Sequence, residues 1–177
     1  VTPAAPLETD DPDRARILKQ KIHARFTDVN RRLTALRTAM ARFGEDFDLD
    51  AFTKAYNSDD PDELNLVMAV ERGVDHLYNY MAEVTAFGLE LAGLRARDAD
   101  LNARRDFDAL RDAKVISSER TVDVQRLREI RRLLVHEYAQ TSAELVHESA
   151  WITSHLVPVF FNGYRKWIQN GFAPPEA

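Results

Sequence analysis

Between Pro12 and Phe43, apolar residues fall at Ile17, Ile22, Phe26, Val29, Leu33, Leu36, Met40 and Phe43. After the first step their spacing alternates between four and three. That rhythm belongs to one face of a long α-helix, and an apolar face of such length must be covered by something else in the chain. Gly44 stands where a C-terminal cap is expected. The same rhythm returns through Leu64, Val67, Val70, Val74, Leu77, Met81, Val84 and Leu91. Ahead of it, Asp60 reads as an N-cap, Pro61 as the first helical residue and Glu63 as the reciprocal capping partner. Two helices of matched length are expected to pack as an antiparallel pair.

The rest of the chain continues in kind. Leu49 to Tyr56 forms a short helix or turn, broken by Asn57-Ser58-Asp59-Asp60-Pro61. A short helix is expected from about Arg104 to Ala113, with Phe107 and Leu110 inward. After the turn Val115-Ile116-Ser117-Ser118, either serine can cap a helix that points Val124, Leu127, Ile130 and Leu134 inward. Thr141-Ser142-Ala143-Glu144 reads as a capping box that stops this helix near Gln140 and opens a last one, to about Asn170. Pro158 inside that last helix is expected to kink it. Tyr78 and Tyr80 can serve an interface, although aromatic residues on a bundle helix usually belong to the core. No segment has the period of a strand, and no internal repeat is present. The expectation is an all-α protein: residues 1–11 a flexible leader, 12–170 one helical domain, and 171–177 a flexible tail.

Composition narrows the function. A chain of 177 residues, 45% of them hydrophobic, suits one domain with a substantial core. Cysteine is absent, which removes disulfides and thiolate metal sites from consideration. No apolar run approaches the roughly 20 residues of a membrane span, and Val1-Thr-Pro-Ala-Ala-Pro6 lacks the pattern of a signal peptide. A cytoplasmic protein without membrane contact is expected. The net charge of −5 argues against a broadly basic nucleic-acid surface, so any such site must be local.

The basic residues are in fact uneven. Arg126, Arg128, Arg131 and Arg132 share one segment with His136 and Tyr138, and Arg131, His136 and Tyr138 spell Arg-x4-His-x-Tyr. A guanidinium clamps phosphate with a planar fork of donors, and an imidazole passes protons near neutral pH. No set of metal ligands lies nearby. Together these point to metal-free phosphodiester chemistry, with RNA as the substrate because its own 2′-hydroxyl can attack. The same residues on a solvated helix face would mean nothing. At about 100° per residue, His136 points roughly 140° away from Arg131 on a regular helix. Either the helix loosens near His136, or a second chain completes the site. Glu144-x-x-His147 has the spacing of a di-iron ligand pair, but such a bundle needs a second copy and there is none. Glu144 is better read as a cap, and His147 and His155 as ordinary members of an amphipathic helix.

The segment Phe107-Asp-Ala-Leu-Arg-Asp-Ala-Lys-Val-Ile-Ser-Ser, with Ile130-Arg-Arg-Leu-Leu-Val-His-Glu-Tyr, resembles the HepT toxins of the HEPN superfamily. So does the helix Met68-Ala-Val-Glu-Arg-Gly-Val-Asp-His-Leu, and the likeness spans about residues 15–165. The resemblance implies a HEPN-type bundle of four to five helices: two long antiparallel helices, the motif helix and a C-terminal helix. It implies a homodimer whose two motifs meet in one cleft, and a metal-independent endoribonuclease from a toxin–antitoxin system, with no cofactor. By position, Arg131 and His136 would be catalytic. Tyr138 would accept AMP from an MntA-type minimal nucleotidyltransferase antitoxin, and Arg128 and Arg132 would contact RNA phosphates.

One departure stands out. In the family the motif arginine is usually followed by asparagine, and here Arg132 takes that place. It either weakens the orientation of the active site or adds a phosphate contact. The alternative reading is a non-catalytic HEPN module that binds a nucleotidyltransferase or its substrate.

Overall fold

The computed structural model describes residues 11–97, 99–100, 102–136 and 142–172, without the side chains of Val135 and His136. Of the leader expected at 1–11 and the tail expected at 171–177, residues 1–10 and 173–177 lie outside the described residues, while Asp11 caps the first helix and Phe172 packs on Trp167. Six α-helices are present among the described residues: α1 (Pro12–Met40), α2 (Leu49–Tyr56), α3 (Pro61–Leu91), α4 (Ala103–Asp112), α5 (Ser118–His136) and α6 (Ala143–Gln169). No strand occurs among them. The count exceeds four to five because the segment at 49–56, open to a helix or a turn, is a full α2 capped by Asp48, whose carboxylate accepts from Ala51 N at 2.7 Å.

The ends follow local chemistry, with some corrections. Asp11 caps α1 through Arg14 N at 3.0 Å, and Asp60 caps α3 through Asp62 N at 2.8 Å. Glu63 is not the reciprocal partner of Asp60, because the backbone amide of Asp60 donates to Ser58 Oγ at 3.0 Å. Gly44 ends a 3-10 turn (Ala41–Phe43) rather than α1 itself, and its φ of 102° is a conformation that suits glycine. Ser117 is the serine that caps α5, accepting from Arg120 N at 3.2 Å. At α6 the N-cap is Ser142, which leaves Glu144 one position short of a capping box. A hydrogen bond from Ser142 nonetheless holds the Glu144 carboxyl below its usual range.

The two long helices are antiparallel, as their spacing predicts. Arg14 pairs with Glu90, Arg25 with Glu83, and Leu36 meets Gly73, so positions advancing along α1 retreat along α3. Ile17 is exposed and Leu18 fully buried, which shifts the inward face by one residue at the start of α1. Leu64, at the start of α3, is likewise exposed. Helix α6 lies against the other side of α3, where fully buried Tyr164 donates its hydroxyl to Val84 O and burial pushes its phenol pKa up. Tyr78 is buried and meets Phe107 of α4, which confirms a core role for it; Tyr80 is half-buried under the Arg25 guanidinium. His147 does more than an ordinary helix residue. Its ring stacks on Phe47 with centroids 4.3 Å apart, and its Nε2 lies 2.5 Å from Phe47 O.

Pro158 sits inside a helix that runs unbroken from Ala143 to Gln169. Proline has no amide hydrogen, so the carbonyl four residues earlier, on Ser154, loses its helical donor. Arg37 of α1 supplies the replacement, donating from Nη2 to Ser154 O at 2.7 Å. The interruption is thus absorbed by a neighbouring helix. Arg37→Met should cost about 1 kcal/mol in urea denaturation. It should cost clearly less in a Pro158→Ala background, where an amide takes over the carbonyl. Equal costs in both backgrounds would show that the two residues are uncoupled.

Candidate functional site

Helix α5 sorts its arginines by side. Val124, Leu127 and Ile130 are fully buried, which leaves two polar flanks. On one flank Arg126 makes a two-pronged pair with Glu148 of α6, both contacts at 2.7 Å. On the other, Arg128, Arg131 and Arg132 follow at the three- and four-residue spacings that share a helix face. These three line one open cleft of about 600 Å³ with Tyr78, Asn79 and Glu83 of α3, Asp106 of α4 and Asn102, the N-cap of α4.

Arg131 is held on two sides. Its Nε donates to Asp75 Oδ1 at 2.6 Å, and its guanidinium lies over the Tyr78 ring, 5.2 Å from the centroid. Asn79 holds the other Asp75 oxygen at 3.1 Å. A carboxylate and an aromatic face therefore fix where the guanidinium points. Burial raises the Tyr78 phenol pKa, opposed by the charges of Arg128 and Arg131. Arg128 and Arg132 are exposed at the rim. At the far end of the cleft, Asp106 is 6% exposed and lies 3.4 Å from Arg95. Burial raises its carboxyl pKa against the pull of Arg95. The cleft is thus of mixed sign, with its cations along α5 and its carboxylates on α3 and α4.

The structure brings Arg128, Arg131 and Arg132 together. Helix α5 continues through His136, so the backbone positions of Arg131 and His136 diverge by roughly 140° at about 100° per residue. The His136 side chain and the whole of Tyr138 lie outside the described residues. Asp75, Asn79 and Glu83 were missed from the sequence. A signal was available, since Glu71, Asp75, Asn79 and Glu83 recur every fourth residue on a helix whose other faces are apolar. Among the described residues, no group of three or more histidine, aspartate or glutamate side chains is placed to hold a metal ion. No helix among them is long and apolar enough to cross a membrane. In the Glu144-x-x-His147 spacing, already set aside as a metal pair, His147 is committed to Phe47.

A bundle built on two long antiparallel helices, with an arginine-bearing helix opening onto a cleft beside them, is the HEPN type of all-α fold. The chain belongs to the HepT-like family, described as Ribonuclease HepT-like, whose family model matches residues 45–159. That span contains α2 to α5, all three cleft arginines and most of α6, and it leaves α1 outside. No curated protein and no solved structure gives a significant match.

The Arg131–Asp75 pair is partly exposed, so its worth in stability is small, about 1 kcal/mol or less. Its effect on anion binding should be larger. Asp75→Asn should leave the fold intact by urea denaturation and tighten binding of a 2′-deoxy oligonucleotide, which cannot be cleaved by its own 2′-oxygen. Weaker binding would mean that Asp75 presents Arg131 to the ligand rather than occupying it.

Proposed function

We propose that this chain is the endoribonuclease toxin of a toxin–antitoxin pair and cleaves RNA without a metal ion, by in-line attack of a ribose 2′-oxygen on the adjacent phosphorus. The observation that carries the reading is the convergence of Arg128, Arg131 and Arg132 on one cleft, in a chain of the Ribonuclease HepT-like family. Arg131 stabilises the charge that builds on the non-bridging oxygens. His136 moves the proton as general base or acid, a role worth about 10²–10⁴-fold in rate. Arg128 and Arg132 hold flanking phosphates, Arg132 doing so where the family usually has asparagine. The products are a 2′,3′-cyclic phosphate and a free 5′-hydroxyl.

The divergence of Arg131 and His136 along one helix favours a site shared by two copies of the chain. An isologous interface repeats each motif on both sides of a two-fold axis. Exposed Leu64 and Met68 support such an interface, because three- and four-residue steps carry their face of α3 to Asp75 and Asn79 at the cleft. The partner is an MntA-type nucleotidyltransferase that attaches AMP to Tyr138. The added negative charge there repels RNA and the bulk fills the cleft. The second reading, a non-catalytic module that binds a nucleotidyltransferase or its substrate, draws on the Asp75 carboxylate already seated on Arg131.

Purified protein should cut an unstructured RNA in EDTA and leave cyclic phosphate ends. Activity lost on chelation and restored by a divalent ion would overturn the mechanism, and no cleavage at all would favour the non-catalytic module. The shared site has its own test. Arg131→Ala and His136→Ala homodimers should each fold and cleave poorly. Mixed by denaturation and refolding, they should regain activity, since each heterodimer keeps one arginine and one histidine. Silence in heterodimers confirmed by mass would count against a composite cleft.

A further inference from the structure

A second open cleft, of about 660 Å³, lies where α1 meets the ends of α3 and α6. It shares no lining residue with the arginine cleft. Its floor includes the half-buried rings of Phe26 and Phe172, and its rim carries Lys19, His23 and Arg165, with Gln169 beside them. No carboxylate lines it among the described residues.

The positive charge there is unspent. Several arginines elsewhere meet carboxylates, among them Arg25 on Glu83, Arg120 on Asp123, Arg126 on Glu148 and Arg131 on Asp75. Among the described residues no ion pair takes up Lys19 or Arg165, and the Arg165 guanidinium lies over the Phe26 ring at 5.4 Å from its centroid. In a chain of net charge −5, this rim is locally positive. Cations placed on two different helices above an aromatic floor suit a ligand with repeated anionic groups and flat apolar bodies. Single-stranded nucleic acid has that chemistry, its phosphates following the cations and its bases stacking on rings.

We infer that this cleft binds a stretch of single-stranded RNA away from the cleavage site. The inference rests on the ribonuclease reading for its choice of RNA, and its test reads binding rather than cleavage. Binding of a labelled, unstructured RNA is followed by fluorescence anisotropy across a salt series, in protein carrying Arg131→Ala. Adding Lys19→Gln and Arg165→Gln should weaken binding about tenfold at low salt. It should also reduce the slope of log affinity against log salt by about 1.4, at roughly 0.7 per single-strand phosphate contact. Both residues are exposed, so thermal unfolding should be unchanged. With Arg131 intact, the double variant should cut a dinucleotide, too short to reach this cleft, at the parent rate. An unchanged slope and affinity would overturn the inference, as would an absence of RNA binding by the parent. RNA that binds through Lys19 and Arg165 but is never cut would sink the ribonuclease reading alone. RNA cut normally by a double variant that binds with the parent slope would sink the second cleft alone.

Discussion

Helix α3 is gripped from two sides, and the placement of everything else depends on how closely it is approached. Against α1 the contact is at Gly73, where a Cβ would lie 3.0 Å from Leu36 Cδ1. Against α6 it is at Gly88, where a Cβ would lie 1.9 Å from the Tyr164 hydroxyl and 3.0 Å from the Trp167 ring. The second approach leaves no room for any side chain but hydrogen. Tyr164 and Trp167 are both fully buried, and a buried aromatic contributes about 1.5–3 kcal/mol over an exposed one. With α1 and α6 locked on in this way, one face of α3 remains for α4 and α5. That face carries Tyr78, Asn79 and Asp75.

Electrostatics then decides what the arginines of α5 can do. Arg126 is committed to Glu148 and serves to tie α5 to α6. Arg131 is committed to Asp75, and that commitment has two sides. It orders a guanidinium over Tyr78 that would otherwise carry the full rotamer freedom of a long side chain. It also seats a carboxylate where a phosphate would sit, so an anionic ligand must displace or share that partner. Arg128 and Arg132, exposed at the rim, add positive charge to it. Membership of a ribonuclease family is consistent with such a division between one oriented arginine and two that raise the local potential.

Much of the fold was legible in the chain because helical periodicity reports directly which face of each segment is apolar. The bounds of α1, α3, α4 and α6 and the inward residues of α5 follow from that rhythm and its caps, and the antiparallel pairing is expected from the matched lengths of α1 and α3. The misses have local causes. Ile17 is exposed because the neighbouring Leu18 takes the inward position, and Leu64 lies in the first turn of α3. Glu63 lost its capping role to Ser58, a competitor only two residues from the cap.

The sequence by itself determined the helices, the side of α5 that carries charge and the concentration of arginine beside His136 and Tyr138. Tertiary structure alone decided which carboxylate each arginine meets. Arg131 and Asp75 are 56 residues apart, Arg37 and Ser154 117, and Phe47 and His147 100. Periodicity tells which residues share a face, but it carries no information about what stands opposite. That depends on the register between helices, and here the register is set by how far the backbone of α3 lets Leu36, Tyr164 and Trp167 approach.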